Sequence, residues 1–322
     1  MLTNDVTDVA LSIIVVNYNT REITLDCLRS VYQHPPKVPF ELILLDNASV
    51  DGSVAAISSE FPQIRLIASQ DNTGFAGGNN IASKSARGTR ILLLNPDTLV
   101  FENSLNALWD FAERSPERGI WGGRTLFGDH TLNPSSCWAK ISLWSLVCSA
   151  SGLTMAFPES SLFNPEAYGG WRRDSEREVD IVTGCFLLID TKLWNALNGF
   201  DPTFFMYAEE ADLCLRARQM GARPAITANA EIVHLGGASE TSAVDKVVKV
   251  MRGRVTLIRK HWSPTRVRLA IILYWLWAAS RTAASQFLSG PRDAPGTAKA
   301  KWRGIWARRG EWLAGYPVKH HH

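Results

Sequence analysis

The 322-residue chain, with 46% hydrophobic and 20% charged side chains, can bury one large core plus an appendage, which excludes disordered and fibrous classes. Its charge is divided: residues 251–322 carry 14 Lys and Arg against Asp293 and Glu311, whereas the first 250 carry 20 against 29. Such an acidic body without a nucleic-acid motif argues against a nucleic-acid partner, and five widely spaced cysteines with no CxxC pair predict reduced core thiols.

The first residues have no basic region ahead of their apolar run, so no signal peptide is expected, and His320, His321 and His322 read as a purification-tag remnant. The β-branched run 11–17, LSIIVVN, predicts a central parallel strand ending at Asn17-Tyr18-Asn19. Thr20 can cap a helix reaching about residue 32, with Ile23, Leu25, Leu28 and Val31 on one face and His34-Pro35-Pro36 to stop it. A second strand at 40–45 delivers DNASVDGS, residues 46–53. After a helix, a third short strand at 64–68 delivers DNTGFAGGNN, residues 71–80. A helix across 82–86 then leads to 91–100, ILLLNPDTLV, a strand buried on both faces that delivers Asn95-Pro96-Asp97.

Four strands alternating with helices predict an α/β, doubly wound, mostly parallel sheet with its polar strand ends on one edge. Ligands of such sheets collect there. Each end is also readable as an ordinary turn, with Asp97 or Thr98 as a helix cap. Chemically, Asp46 can accept from a pyrimidine N3–H, Gly74 and Gly77 let a pyrophosphate approach backbone N–H groups, and Asp97 can face a divalent cation. Asn17, Asn19, Asp51, Asn72, Asn79 and Asn95 share that edge as candidate donor-binding residues. A dinucleotide fold is rejected, because G-x-G-x-x-G does not follow the first strand. The edge reads as a nucleotide-diphosphate site.

Residues 120–180, rich in Gly, Ser, Pro and Trp, predict a sheet crossing and then a long loop around 149–177, mobile over the site. The strand expected at 181–190 carries Gly184, which leaves room for a sugar or simply packs. Glu209, Glu210 and Asp212 stand ahead of a helix at 213–220, where acids suit the helix dipole. The aromatics upstream suggest an apolar pocket in which a carboxylate can act as a base. His234, after a strand at 230–233 and before Gly236-Gly237, is either a core histidine or a ligand. A basic helix at 247–261 follows. The apolar stretch 269–279 would span only about 16 Å as a helix, against roughly 30 Å for a bilayer core. Basic residues interleaved with tryptophan, such as Arg281, Lys301 and Arg303 with Trp275, Trp277 and Trp302, suit an anionic headgroup layer or a helical pair packed on the body or on a second subunit.

Taken together, SIIVVNYN, DNASVDGS, NTGFAGGNN, LLNPDT, VTGCFLLI, GFDPTFFMYAEEADLCLRARQMG and EIVHLGGAS make residues 11–240 resemble the family 2 inverting glycosyltransferases, specifically the bacterial rhamnosyltransferase-like branch. The resemblance implies a GT-A domain over 1–240, with a nucleotide-sugar half at 11–100 and an acceptor half at 101–240, followed by a helical basic tail over 241–319. It implies Asp97 and His234 as ligands of Mn2+ or Mg2+, with Asn95 in place of the first acid of the usual Asp-x-Asp motif. Glu210 falls where the family has its catalytic aspartate, with Glu209 in reserve and Asp212 orienting the site or binding acceptor. The implied donor is dTDP-L-rhamnose, with UDP-hexose or UDP-galactofuranose as alternatives. The implied acceptor is a lipid-linked or polymeric glycan at the inner face of the cell membrane, placing the enzyme in the cytoplasm, peripheral to that membrane, and open to homodimerisation. A non-catalytic glycan- or nucleotide-binding subunit stays open because of Asn95 and Glu210.

Overall fold

The computed structural model describes residues 8–236, 242–287 and 296–317; the expectations at residues 1–7, at Gly237 and at the tag histidines fall outside them. The chain forms two compact units. The first comprises Met1–Trp138, Arg172–Asp201 and Glu210–Ser239, and the second Ala139–Trp171, Pro202–Glu209 and Glu240–His322.

The first unit is a mixed, mostly parallel α/β sheet flanked by helices. Its strands are β1 (Leu11–Asn17), β2 (Phe40–Asp46), β3 (Arg65–Ala68), β4 (Arg90–Leu94), β5 (Thr98–Val100), β6 (Ile120–Leu126), β7 (Leu132–Asn133), β8 (Cys137–Trp138), β9 (Arg177–Glu178), β10 (Ile181–Val182), β11 (Phe186–Asp190) and β12 (Ala225–His234). The main sheet runs β3-β2-β1-β4-β11-β6-β12-β5, with β7 on β6 and β9 on β12; β8 and β10 pair apart. The first four strands are parallel in the expected doubly wound order, and β11 enters antiparallel to β4. Because helices cover both faces, β1 and β4 are buried along their whole length, which is why they read as unbroken apolar runs. Burying a side chain such as Ile13 or Leu93 fully is worth about 2 kcal/mol, so these strands fix the sheet.

Several local expectations change. Thr20 occupies the N-cap of the helix Arg21–Gln33 but makes no capping bond, because its hydroxyl donates to Asn17 Oδ1 at 2.7 Å. Asp51 caps instead, accepting from the Arg21 N–H at 2.9 Å. The motif at 71–80 is not a loop ahead of a helix: the helix is Gly74–Ser83 and begins inside it. Its glycines permit close packing, since a Cβ on Gly78 would stand 2.8 Å from Val16 Cγ1 of β1. The strand expected at 181–190 is broken between β10 and β11, at 183–185. The three acids lie in or at the start of the helix Glu209–Gln219 rather than ahead of one.

The second unit is helical. The long loop expected around 149–177 is helical over its first part, through Leu143–Ser151 and Leu153–Ala156. These pack with the tail helices Ala243–His261, Pro264–Ser285, Ala298–Ala307 and Arg309–Ala314. A half-buried arginine, Arg254, clamps the unit: its guanidinium donates to both oxygens of Glu166 and, through Nε, to Tyr274 Oη at 3.2 Å. Trp312 and Ile305 are fully buried, so the C-terminal helices belong to the core of this unit.

Candidate functional site

β1 and β2 run in register, Asn17 opposite Asp46, and their ends form one network. Asn17 Nδ2 donates to Asp46 Oδ2 at 2.7 Å and to Ser49 Oγ at 3.1 Å, while its Oδ1 accepts from Thr20 and Thr24. Asn17 is thereby spent on holding Asp46. The other Asp46 oxygen accepts from the Ser49 N–H at 2.9 Å, and each oxygen keeps a lone pair for a further donor. Asn19 accepts from the Val50 N–H at 2.8 Å and takes a left-handed φ of 52°, closing the same turn. Asp51 is structural in geometry. Burial opposes its charge, but donors at Ser53 and the Arg21 N–H hold its carboxyl below the usual range.

The next strand end is organised by Asn47, which the sequence reading passed over. Its Oδ1 accepts from the Thr73 N–H at 2.9 Å, and its Nδ2 donates to the Gly74 carbonyl and to Asn72 Oδ1. Asn72 Oδ1 also accepts from the Gly74 N–H at 2.9 Å, and Gly74 has φ 75°, a conformation that favours glycine. A Cβ on Gly77 would meet Thr73 Cβ at 2.8 Å. Asn79 donates back to the Phe75 carbonyl of its own helix at 2.9 Å. The neighbouring Asn80 reaches across the chain: its side chain donates to the Phe200 carbonyl at 2.8 Å and accepts from the Phe200 N–H at 2.9 Å.

Asp97 is not a helix cap. It lies between β4 and β5, and β5 pairs antiparallel with β12 so that Thr98 faces His234. This register carries Asp97 to the imidazole: His234 Nε2 is 3.3 Å from Asp97 Oδ1. The same nitrogen is 3.3 Å from Asn95 Nδ2, and Asn95 Oδ1 is buried with no hydrogen-bond partner among the described residues. One ring nitrogen cannot both donate to Asp97 and accept from Asn95. A half-turn of the amide would place its oxygen there instead, giving an O, N, O donor set suited to a hard divalent cation. Two ligands of one ion, each about 2.1 Å from it, stand about 3 Å apart, close to the spacing seen. Burial opposes the charge on Asp97, but His234 holds its carboxyl below the usual range. Burial likewise works against protonation of His234, yet Cys185 and Asp97 beside it push the imidazole up to about 11. No group of three or more His, Cys, Asp or Glu side chains able to hold a metal occurs among the described residues.

The break at 183–185 joins this pair to the acids. Cys185 accepts at its carbonyl from the Asn95 N–H at 3.1 Å, tying it to the Asp97 side. One residue earlier, a Cβ on Gly184 would stand 3.2 Å from Phe75 and 3.7 Å from Glu210 Cβ. The space Gly184 leaves is therefore bounded by Phe75 and Glu210. The three acids are not equivalent. Asp212 is fully buried, its Oδ2 accepting from Arg216 Nε at 2.7 Å, while Arg216 also donates to the carbonyls of Leu197 and Gly199. Such a carboxylate is placed to orient the loop. Glu209 is buried too, and Glu210 alone of the three is half-exposed.

The model of the family described as "Glycosyl transferase family 2" matches residues 12–187. The chain belongs to glycosyl transferase family 2. Among relatives of the chain, the N-acetylglucosaminyl-diphospho-decaprenol L-rhamnosyltransferase of Mycobacterium tuberculosis is 28% identical over 210 residues, 61% of this chain and 66%, just under two thirds, of that protein. Rhamnosyltransferase WbbL of Escherichia coli is 30% identical over 162 residues, 47% of this chain and 56% of its own. In fold, the chain is similar to the mannosyltransferase PcManGT of Pyrobaculum calidifontis, solved in complex with GDP-Man and Mn2+, with a TM-score of 0.56 at 17% identity over 94% of this chain and 85% of that one.

Proposed function

We propose that this glycosyltransferase is metal-dependent and inverting, and that it moves L-rhamnose from dTDP-L-rhamnose to a hydroxyl of a lipid-linked or polymeric glycan. One observation carries the reading: the dipeptide Gly184-Cys185 has Glu210 against one residue and the Asn95, Asp97 and His234 cluster against the other. On this reading the donor and base halves would adjoin. Rhamnose enters from the two relatives named for its transfer, and Mn2+ from the solved neighbour that contains it. Asp46 would take the pyrimidine N3–H with its remaining lone pairs, in a turn that Asn17 and Ser49 hold rigid.

Asp97 and His234, joined by the Asn95 amide oxygen, would hold the cation, with diphosphate oxygens completing its shell. When bound, the cation neutralises charge on the leaving nucleoside diphosphate. Glu210 would accept the proton of the acceptor hydroxyl as that oxygen bonds to the anomeric carbon and the bond to diphosphate breaks on the opposite face. The single displacement inverts the configuration. Asp212 and Arg216 position the helix that carries Glu210.

A thermal-shift panel of dTDP, UDP, GDP and their sugars, with and without Mn2+, tests the donor. A ligand at 100 times its dissociation constant should stabilise the fold by about 2.7 kcal/mol. The expected result is a metal-dependent shift that is largest with dTDP-rhamnose. A larger shift with a UDP-hexose or UDP-galactofuranose would reassign the donor, and binding without turnover on any acceptor would favour a non-catalytic subunit.

A further inference from the structure

The helix Pro264–Ser285 is amphipathic in the reverse sense. Inward it buries Ala270, Tyr274, Ala278 and Ser285, mostly small residues. Outward it presents Leu269, Ile272, Trp275 and Leu276, each between 42% and 54% exposed. Positions 269, 272 and 276 recur at three and four residues, so they form one stripe on the helix surface. A helix facing only water turns such a stripe inward. Of the 16 large hydrophobic side chains exposed among the described residues, 11 lie in the smaller, helical unit, so the stripe is part of a regional bias rather than scattered surface.

Among the described residues the charges at its rim meet no acid, Arg266 lying over the Trp262 ring at 4.6 Å instead. Arg266 and Arg268 stand exposed near the start of the helix, where its dipole disfavours cations, and neither forms an ion pair among the described residues. The 22 residues of the helix contain no acid. At the other end Arg281 donates to the Ser149 carbonyl at 2.7 Å and lies 3.7 Å from Met155 Sδ, linking the stripe to exposed Met155 and, close by in sequence, Phe157.

We propose that this face docks on an anionic lipid surface, the helix Pro264–Ser285 lying in the headgroup plane with its aliphatic stripe toward the acyl chains. No helix among the described residues is long and apolar enough to cross a membrane, whereas a 22-residue helix laid flat offers about 33 Å of contact. A second copy is the poorer occupant. Two-fold pairing through the stripe would set the arginines of each helix against a partner helix that carries no acid to answer them. Anionic headgroups answer both the charge and the apolar stripe.

Flotation of the full chain with phosphatidylcholine vesicles, with and without phosphatidylglycerol, tests this. The protein should float with the anionic vesicles only, and less as salt rises. Ile272→Glu with Leu276→Glu should cut the bound fraction at least ~10-fold, and Arg266→Glu with Arg268→Glu should do the same, at about 5-fold per arginine. Since all four side chains are exposed, the thermal transition should not fall. Failure of the wild type to float, or flotation of both double variants equal to that of the wild type, would overturn the proposal. So would a solution dimer that Ile272→Glu with Leu276→Glu converts to monomer while neither form binds vesicles. Flotation is read without turnover, so its failure leaves the donor assignment untouched, and a wrong donor leaves the docking face untouched.

Discussion

At the level of single residues, neighbouring acids have been given different work by burial. Replacing Asp212 with Ala strands Arg216 beside a buried gap, and breaking a buried pair in this way costs about 3 kcal/mol. Glu210→Gln keeps shape and half-exposure, so it should leave the thermal transition unmoved while lowering donor turnover at least ~100-fold. A calorimetric scan and a turnover assay on the two variants should therefore give opposite patterns; loss of stability in Glu210→Gln, or normal turnover, would count against its role as base. Asp51 gives the pH signature of a cap. Its carboxyl is held below the usual range, so its stabilisation is present at neutral pH and is lost as pH falls through the lowered value. Asp51→Ala should cost about 1 kcal/mol at pH 7, and less in acid. Residue identities were readable in the sequence, because Asp46, Asp97, Glu210 and His234 all lie at ends of strongly patterned elements. Their neighbours were not: Asn47 and Asn80 act through hydrogen bonds to backbone distant in sequence, which no local periodicity reports.

At the level of elements, the strands were legible and the breaks were not. Continuous apolar runs announce β1 and β4, whereas the interruption at 183–185 depends on partners that only the folded sheet supplies. Glycines mislead in the same way: Gly78 serves contact with Val16, so Gly78→Val should overpack the sheet, lowering stability by about 2 kcal/mol. A denaturant melt would show it. The segment before the acids is held by a different element. Tyr207 and Ala208 have φ of 70° and 72°, rarely adopted by such residues. Within the helical unit, Gly253 lets the helix Ala243–His261 approach so closely that a Cβ there would stand 2.3 Å from the Tyr207 carbonyl oxygen, and Tyr316 Oη donates to the Met206 carbonyl at 2.7 Å. Gly253→Val should displace this segment and lower turnover, and Tyr316→Phe should do so more weakly, with donor affinity unchanged in both. Equal turnover in all forms would show that the segment needs no such support.

For the molecule as a whole, the sequence conveyed the α/β sheet and the family. It did not convey that residues 139–171 and 202–209 group with those from 240 onward in one helical unit, because each piece alone has weak periodicity. A truncation near residue 262 should consequently do more than detach a basic tail: it removes buried Ile305 and Trp312 and should lower the stability of what remains. All five cysteines are free and buried, and burial pushes Cys27 and Cys214 up to about 12, so the native protein should resist thiol reagents at pH 8 until it unfolds. The central claim is that Asp97 and His234 build a cation-dependent donor site beside Glu210. Its most direct test is a calorimetric titration of dTDP-rhamnose, with and without Mn2+, into the wild type and Asp97→Ala. The expected result is Mn2+-dependent binding in the wild type that Asp97→Ala loses while remaining folded. Equal affinity in the two proteins in Mn2+ would contradict the assignment of the site.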